Sequence, residues 1–212
     1  MATVSQTAEL LKSIENTDKR LHARFKHRLK INHELDRTLV SYQANKSENG
    51  HRWCKYKEGF SAKLIHYIFD KLQIESGRIL DPFAGAGTTL FVSNERGVNA
   101  TGIELLPSSA EIIEVRREVM RCDKEKLAAS IRKFRASQIW ENTGTIEPFH
   151  HLPITDGAFP KSTEYLLGRY LHEASRIRDK LLRRVLRFAA LCILESISYT
   201  RKDGQYLRWD TK

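Results

Sequence analysis

Residues 81–89 read Asp81-Pro82-Phe83-Ala84-Gly85-Ala86-Gly87-Thr88-Thr89, and this stretch decides the fold. The apolar run Ile79–Phe83 leads into it and is typical of a buried parallel strand. A helix is predicted over Thr88–Arg96, ended by Gly97, and a second strand over Asn99–Leu105. Strand, glycine loop, helix and strand in this order predict an α/β unit. Its loop should lie at the carboxyl end of the sheet, where open α/β sheets bind ligands.

The glycine loop has the features of a ligand cradle. Gly85 and Gly87 let the backbone turn tightly and approach a ligand without an intervening Cβ. The helix after the loop directs free amide groups at the same place, which favours a carboxylate or a phosphate. Glu104 follows at the end of the second strand, where a carboxylate can accept hydrogen bonds from both hydroxyls of an adenosine ribose.

Two nucleotide-binding alternatives fit the loop less well. A phosphate loop needs a Lys-Ser/Thr pair after its last glycine, but Thr88-Thr89 follows Gly87. A dinucleotide fingerprint needs a third glycine, and that position is Leu90. The spacing therefore favours another adenosine-containing ligand.

Three motifs together resemble those of the DNA amino-methyltransferases, which modify adenine N6 or cytosine N4. Residues 81–89 resemble the first motif of that family, and Thr101-Gly102-Ile103-Glu104 resembles the second. Upstream, Lys57-Glu58-Gly59-Phe60-Ser61 resembles the motif that packs over the cofactor. The resemblance covers residues 55–105, about a quarter of the chain. It implies a Rossmann-like methyltransferase fold with substantial helical additions, and S-adenosylmethionine as the cofactor.

The resemblance also implies roles for individual residues. Asp81 would face the methionine ammonium group, although an aspartate here can also cap a turn. Thr88 and Thr89 suit the methionine carboxylate, and Phe60 suits either the adenine ring or the core. The residues assigned to the cofactor site are Phe60, Ser61, Asp81, Pro82, Phe83, Gly85, Gly87, Thr88, Thr89 and Glu104.

The charge of the chain indicates a polyanionic partner. The formal net charge is +10 and the sequence pI is about 9.6, although a merely soluble basic protein is an alternative. More than half of this excess lies in residues 161–212, so we expect the DNA-facing region there. The residues assigned to nucleic acid are Arg183, Arg184, Arg187, Arg201, Lys202 and Arg208. The alternative for this segment is a solvated helix face, with Trp209 in the core.

Other classes of protein are excluded or disfavoured by the composition. No stretch approaches the roughly 20 apolar residues of a membrane span, and residues 1–11 lack the pattern of a signal peptide. Cys54, Cys122 and Cys192 are scattered, which fits neither a disulfide framework nor a metal site. We expect a cytoplasmic protein.

The sequence predicts three regions. These are an N-terminal helical region and loop over 1–54, a cofactor-binding core over 55–135 and a basic helical segment over 136–212. Helices are predicted over most of 4–38, over 61–72, from 107 to about 135 and over 164–198, with an irregular connection over 141–160. The first helix should pack through Leu10, Ile14, Leu21 and Phe25.

The loop that would grip the target amine is not found in this sequence. Base amino-methyltransferases use a loop of Asp, Asn or Ser followed by Pro-Pro and an aromatic residue. The polar side chain accepts hydrogen bonds from the target amine, and the aromatic ring stacks on the flipped base. This chain has five prolines and none are adjacent. We therefore expect an incomplete sheet and a truncated or split chain, inactive alone and completed by a second polypeptide that carries the loop.

The sequence thus predicts a DNA methyltransferase of modification or restriction-modification. Two alternatives stay open. One is an RNA base methyltransferase, because positive charge does not distinguish the two nucleic acids. The other is a non-catalytic remnant or subunit that binds the cofactor or DNA.

Overall fold

The computed structural model describes residues 4–203 and 206–210, without the side chains of residues 4, 5, 202 and 203. It divides the chain into two units, Met1–Asp36 and Arg37–Lys212. Within the described residues, no helix is both long and apolar enough to cross a membrane.

The described part is mainly helical, with few strands. The α-helices are α1 (Val4–Phe25), α2 (Arg37–Val40), α3 (Ala62–Lys71), α4 (Thr88–Glu95), α5 (Pro107–Arg121), α6 (Lys124–Ser137), α7 (Lys161–Ser175) and α8 (Lys180–Ile193). The strands are β1 (Arg78–Asp81), β2 (Asn99–Gly102), β3 (Thr200–Asp203) and β4 (Tyr206–Trp209). Short 3-10 helices occupy parts of the connections, including most of Tyr42–Trp53.

The predicted strand–helix–strand unit is present. β1 and β2 are parallel, with Ile79 opposite Ala100 and Leu80 opposite Thr101, and α4 connects them. Each strand is shorter than predicted. β3 and β4 form a separate antiparallel pair, in which Arg201 lies opposite Arg208.

Three apolar clusters hold the second unit together. The first joins α3 to α4 through Ala62, Ile65, Phe69, Val92 and Val98. The second joins α5 to α8 through Ile112, Val115 and Phe188. The third joins α7 to α8 through Ala174, Leu182 and Leu186. The first cluster lies behind the β1–β2 pair, and the second lies beside the glycine loop through Ala86.

The expectation of one long helix from residue 107 to about 135 is wrong. The helix ends at Arg121, and α6 begins at Lys124 after Asp123. The carboxylate of Asp123 accepts a hydrogen bond from the Lys126 amide at 2.9 Å. This N-cap satisfies an otherwise unpaired amide and so favours a new helix start within an apparently continuous helical pattern.

A single helix over residues 164–198 is likewise wrong. α7 ends at Ser175 and α8 begins at Lys180, because the Asp179 carboxylate caps α8 by accepting the Leu182 amide at 2.9 Å. The inner face of α8 includes Leu182 and Leu186, which are buried. Buried Arg169 ties α7 to the preceding irregular segment by donating to the Asn142 carbonyl at 2.9 Å.

The N-terminal helix is shorter than predicted. α1 ends at Phe25, and a 3-10 turn follows over Lys26–Arg28. Its expected packing face consists of Leu10, Ile14, Leu21 and Phe25, all of which are exposed.

Candidate functional site

The glycine loop between β1 and α4 has a backbone that only glycine fits well. Gly85 has φ +52° and Gly87 has φ +80°, both in the left-handed region. A Cβ on Gly87 would lie 2.9 Å from side-chain atoms of Ile113 and Phe91. A Cβ on Gly85 would lie 3.0 Å from the Tyr56 ring. The loop is therefore closely packed on both sides as well as tightly turned.

Glu104 fastens this loop to the end of β2. Its Oε2 accepts a hydrogen bond from the Gly85 amide, and its Oε1 accepts one from the Leu106 amide, both at 2.7 Å. The Ala84 amide also donates to the Ile103 carbonyl at 3.0 Å. The carboxylate thus lies at the carboxyl end of the sheet, as predicted, and has a structural role there. A role at a ribose stays a prediction.

Asp81, the last residue of β1, has one carboxylate oxygen without a partner. Oδ1 accepts a hydrogen bond from the Phe83 amide at 3.1 Å. Oδ2 is buried and has no hydrogen-bond partner among the described residues. An unsatisfied buried acceptor costs about 1–3 kcal/mol, so it indicates a missing donor or cation.

The first turn of α4 offers donors at the other end of the loop. The first intrahelical bond runs from the Phe91 amide to the Gly87 carbonyl at 3.1 Å. The amides of Thr88, Thr89 and Leu90 precede it and have no partner within the helix. Thr88 and Thr89 are buried.

Pro82 and Phe83 contribute to the loop mainly through its backbone. Both side chains are exposed, and 87% of the surface of Phe83 is accessible. The structure therefore brings Asp81, Gly85, Gly87, Thr88, Thr89 and Glu104 to one end of the β1–β2 pair.

The segment that was expected to pack over the cofactor is held in place by Asn45. This buried amide accepts a hydrogen bond from the Ala62 backbone at 2.8 Å and donates to the Phe60 carbonyl at 3.1 Å. Ser61 caps α3 by accepting the Leu64 amide at 3.1 Å, and its hydroxyl donates to the Leu39 carbonyl. The Ser61 side chain is thus used by the fold.

Phe60 packs against the first apolar cluster and also lines a cleft beside the glycine loop. The cleft has a volume of about 10 Å³, which is room for about one water molecule. Its lining includes Tyr56, Gly59, Ala86, Thr88, His51 and Arg116. Residues 56–60 and the glycine loop therefore line the same cleft, and packing of this segment over a cofactor stays a prediction.

The sequence profile of the DNA methylase family matches residues 5–115. The match covers more than half of the 212 residues and includes all three motifs. The chain belongs to the DNA methylase family. The family prediction made from the sequence is therefore confirmed.

Curated relatives extend the similarity beyond the family profile. The Type II methyltransferase M.AvaI of Nostoc sp. strain PCC 7120 is 43% identical over 208 residues, which are 98% of this chain and 43% of that protein. The M.AvaI of Anabaena variabilis matches with the same figures. The Type II methyltransferase M.BsoBI of Geobacillus stearothermophilus is 37% identical over 195 residues, or 90% of this chain and 37% of that protein.

The chain spans less than half the length of the curated relatives it matches. No solved structure matches it. The similarity therefore identifies the family, and the activity of the longer relatives is a separate question.

The arginines of α8 that were assigned to nucleic acid make intramolecular contacts. Arg184 bonds both oxygens of Glu111, at 2.9 and 2.8 Å, and also pairs with Glu118. Arg187 bonds both oxygens of Glu147 at 2.9 Å. Arg183 donates to the Ile177 carbonyl at 2.9 Å. These contacts fix α8 against its neighbours, and contact with DNA stays a prediction for these residues.

The other assigned cations lie on the β3–β4 pair. Arg201 forms an ion pair with Asp210, and Arg208 lies opposite Arg201 and is exposed. Tyr206 on the same pair is 79% exposed. The side chain of Lys202 lies outside the described residues. The pair thus presents cations and an aromatic ring on its surface.

Three residues of the site were not expected from the sequence. Tyr56 covers Gly85, and His51 and Arg116 are buried beside the loop. Tyr56 stands next to a recognised motif, so its position was a usable signal. His51 lies in a polar stretch and Arg116 beside a second arginine, so only tertiary packing reveals their burial.

Proposed function

We propose that this chain supplies the cofactor-binding part of an S-adenosylmethionine-dependent DNA methyltransferase. The enzyme would methylate adenine N6 or cytosine N4 in modification or restriction-modification. The observation that carries the proposal is the buried, unpartnered Oδ2 of Asp81 on the same loop as the amides that begin α4. An acceptor and donors so placed fit an amino acid, which carries both an ammonium and a carboxylate.

The methionine part of the cofactor would use the two ends of the loop. Its ammonium group would complete the hydrogen bonding of Asp81, and its carboxylate would accept from the first amides of α4 and from the hydroxyls of Thr88 and Thr89. Gly85 and Gly87 would keep the backbone free of side chains along this path.

The nucleoside part would lie at the end of β2. Glu104 already accepts one backbone amide on each oxygen, which fixes its orientation. Each carboxylate oxygen has a second lone pair, so the ribose hydroxyls can still donate to it. Phe60, which lines the neighbouring cleft, would contact the adenine.

The fold assignment is part of the proposal. The parallel pair β1–β2 joined by α4 is the repeating unit of a Rossmann-like sheet, and we assign residues 55–135 to that core. The helical segment 136–212 would face DNA, with the exposed residues Arg201, Tyr206 and Arg208 of the β3–β4 pair as its contact surface. Cations and aromatic rings together suit phosphates and unstacked bases.

The chemistry needs a second component. S-adenosylmethionine supplies an activated methyl group that an amine attacks directly, so no nucleophilic side chain is required. The protein must instead hold the amine in line, and such positioning contributes on the order of 7–11 kcal/mol for well-oriented reactants. The sequence holds no Pro-Pro-aromatic loop for this purpose. A further polypeptide segment would supply it, and the relatives are more than twice as long as their match to this chain.

Transfer of labelled methyl groups tests this function. The 212-residue chain and a fusion of it to the unmatched part of the Nostoc M.AvaI would be incubated with labelled cofactor and mixed-sequence DNA or RNA. We expect methylated DNA from the fusion and essentially none from the chain alone. Asp81→Asn should abolish transfer by the fusion, whereas exposed Asp156→Asn should not.

Three results would contradict the proposal. Robust turnover by the chain alone would mean that it contains an acceptor site. Preferential labelling of RNA would favour the alternative substrate. Full activity of the Asp81→Asn fusion would remove Asp81 from the cofactor site.

A further inference from the structure

A buried arginine of α5 contacts the glycine loop. Arg116 of α5 is only 6% exposed. Its Nη1 donates to the Ala86 carbonyl, between the two loop glycines, at 3.1 Å. Its guanidinium carbon lies 3.7 Å from the centroid of the Phe91 ring, in the first turns of α4. One side chain thus contacts both the loop and the helix that the loop begins.

Arg116 keeps its charge in this position. Burial lowers the pKa of its guanidinium to about 10, which is still well above neutral pH. No carboxylate among the described residues lies within ion-pair distance of it. The cation is therefore held by a carbonyl and an aromatic face, and among the acidic groups around it the Glu95 carboxylate compensates its positive field most, without an ion pair.

The neighbouring His51 adds no charge. Its ring is buried in the same cleft, and burial, followed by the charge of Arg116, lowers its pKa to about 4. Both ring nitrogens are without a hydrogen-bond partner among the described residues. Arg116 is thus the permanently charged side chain in the lining of the cleft, next to the two ring nitrogens of His51.

We propose that Arg116 is a positioning residue that sets the affinity of the site for the amino-acid half of the cofactor. It holds the Ala86 carbonyl away from the ligand, so the amides that follow in Thr88 and Thr89 face the carboxylate, and its field favours that negative charge. This inference rests on the proposed cofactor site.

The nucleoside half should depend much less on Arg116. Glu104 is oriented by the Gly85 and Leu106 amides, and Arg116 contacts neither of these bonds. Loss of the cation should therefore weaken binding of the amino-acid end of the ligand and not of its nucleoside end. A residue that served only to keep the fold together would affect both ends.

Two ligands that differ only in the amino-acid part separate these roles. Calorimetry would compare S-adenosylhomocysteine with 5′-methylthioadenosine, which keeps the nucleoside and the thioether but lacks the carboxylate and the ammonium. For Arg116→Met we expect affinity for S-adenosylhomocysteine to fall by about tenfold, with methylthioadenosine changed less than about twofold. Arg116→Lys keeps the charge and should recover most of the selectivity. Arg117→Met, on the exposed side of α5, is the matched control.

The outcomes distinguish this inference from the function on which it rests. If the unaltered chain binds neither ligand, the proposed cofactor site is wrong and Arg116 has no role there. If it binds both and Arg116→Met weakens them equally, or changes neither, the cofactor site stands and the inference is overturned. If Arg116→Met does not fold, Arg116→Lys provides the test. Loss by Arg116→Lys of the preference for S-adenosylhomocysteine over methylthioadenosine would then overturn the inference.

Discussion

At the residue scale, His51 makes stability depend on pH. Its folded pKa is lowered to about 4, first by burial and then by the charge of Arg116. An unfolded histidine has a pKa of about 6.5. Between these values the unfolded chain binds a proton that the folded chain does not, so acid favours unfolding.

We therefore expect the free energy of unfolding to fall as the pH drops from about 6.5 to 4. A pKa difference of this size corresponds to a loss of stability on the order of 3 kcal/mol across this pH range. Urea unfolding at several pH values measures it. His51→Gln should flatten this dependence, whereas exposed His22→Gln should leave it unchanged. A dependence equally steep in His51→Gln would show that other groups cause it.

Residues differ in how far the sequence reveals them. Gly85, Gly87 and Glu104 were predicted from their spacing around the loop, which is local in the chain, and Asp81 from the resemblance to the family's first motif. Arg116 was not found, because its role depends on α5 packing against the loop 30 residues away. The burial of a charged side chain is a tertiary property, and a charge-rich sequence predicts exposure.

At the scale of elements, hydrophobic periodicity predicted that a helix was present better than it predicted where the helix begins and ends. Helix α3 begins and ends within one residue of its predicted limits, because a serine cap and an apolar stripe mark it. The two long helices were each broken by an aspartate, Asp123 or Asp179, whose capping role competes with an otherwise unbroken helical pattern. The β3–β4 pair was not predicted as strands, since each strand has four residues and no clear alternation.

The two groups of arginines also differ at this scale. Those of α8 hold carboxylates of α5 and of the irregular segment, so removing them should cost stability. On β3–β4, Arg201 and Arg208 lie opposite each other and are both exposed, and Arg201 is paired with Asp210. We propose that this exposed surface contacts the phosphates of nucleic acid.

We predict that affinity for duplex DNA falls steeply with salt and that the double substitution Arg201→Gln with Arg208→Gln flattens this slope. Each neutralised phosphate contributes roughly 0.9 to the slope of log K against log salt. The control is the double substitution Arg184→Gln with Arg187→Gln, which should lower the melting temperature and leave the salt dependence of DNA binding nearly unchanged. If only the control flattens the slope, the DNA surface lies on α8 and not on β3–β4.

At the scale of the whole molecule, large apolar side chains are exposed beside the β1–β2 pair. Phe83 and Leu105 flank the β1–β2 pair and are 87% and 90% exposed, and Leu80 on β1 is also exposed. Large apolar side chains clustered at one site commonly mark a surface that another segment covers. The curated relatives extend for more than half of their length beyond their match to this chain.

Calorimetric titration of the 212-residue chain with S-adenosylmethionine tests whether the glycine loop and the end of β2 bind this cofactor. We predict saturable binding that Glu104→Ala weakens by roughly 1–3 kcal/mol, the scale of a lost charged acceptor. Exposed Glu125→Ala should bind as the unaltered chain does. Equal affinity in Glu104→Ala and the unaltered chain, or no binding by a folded chain, would contradict the account.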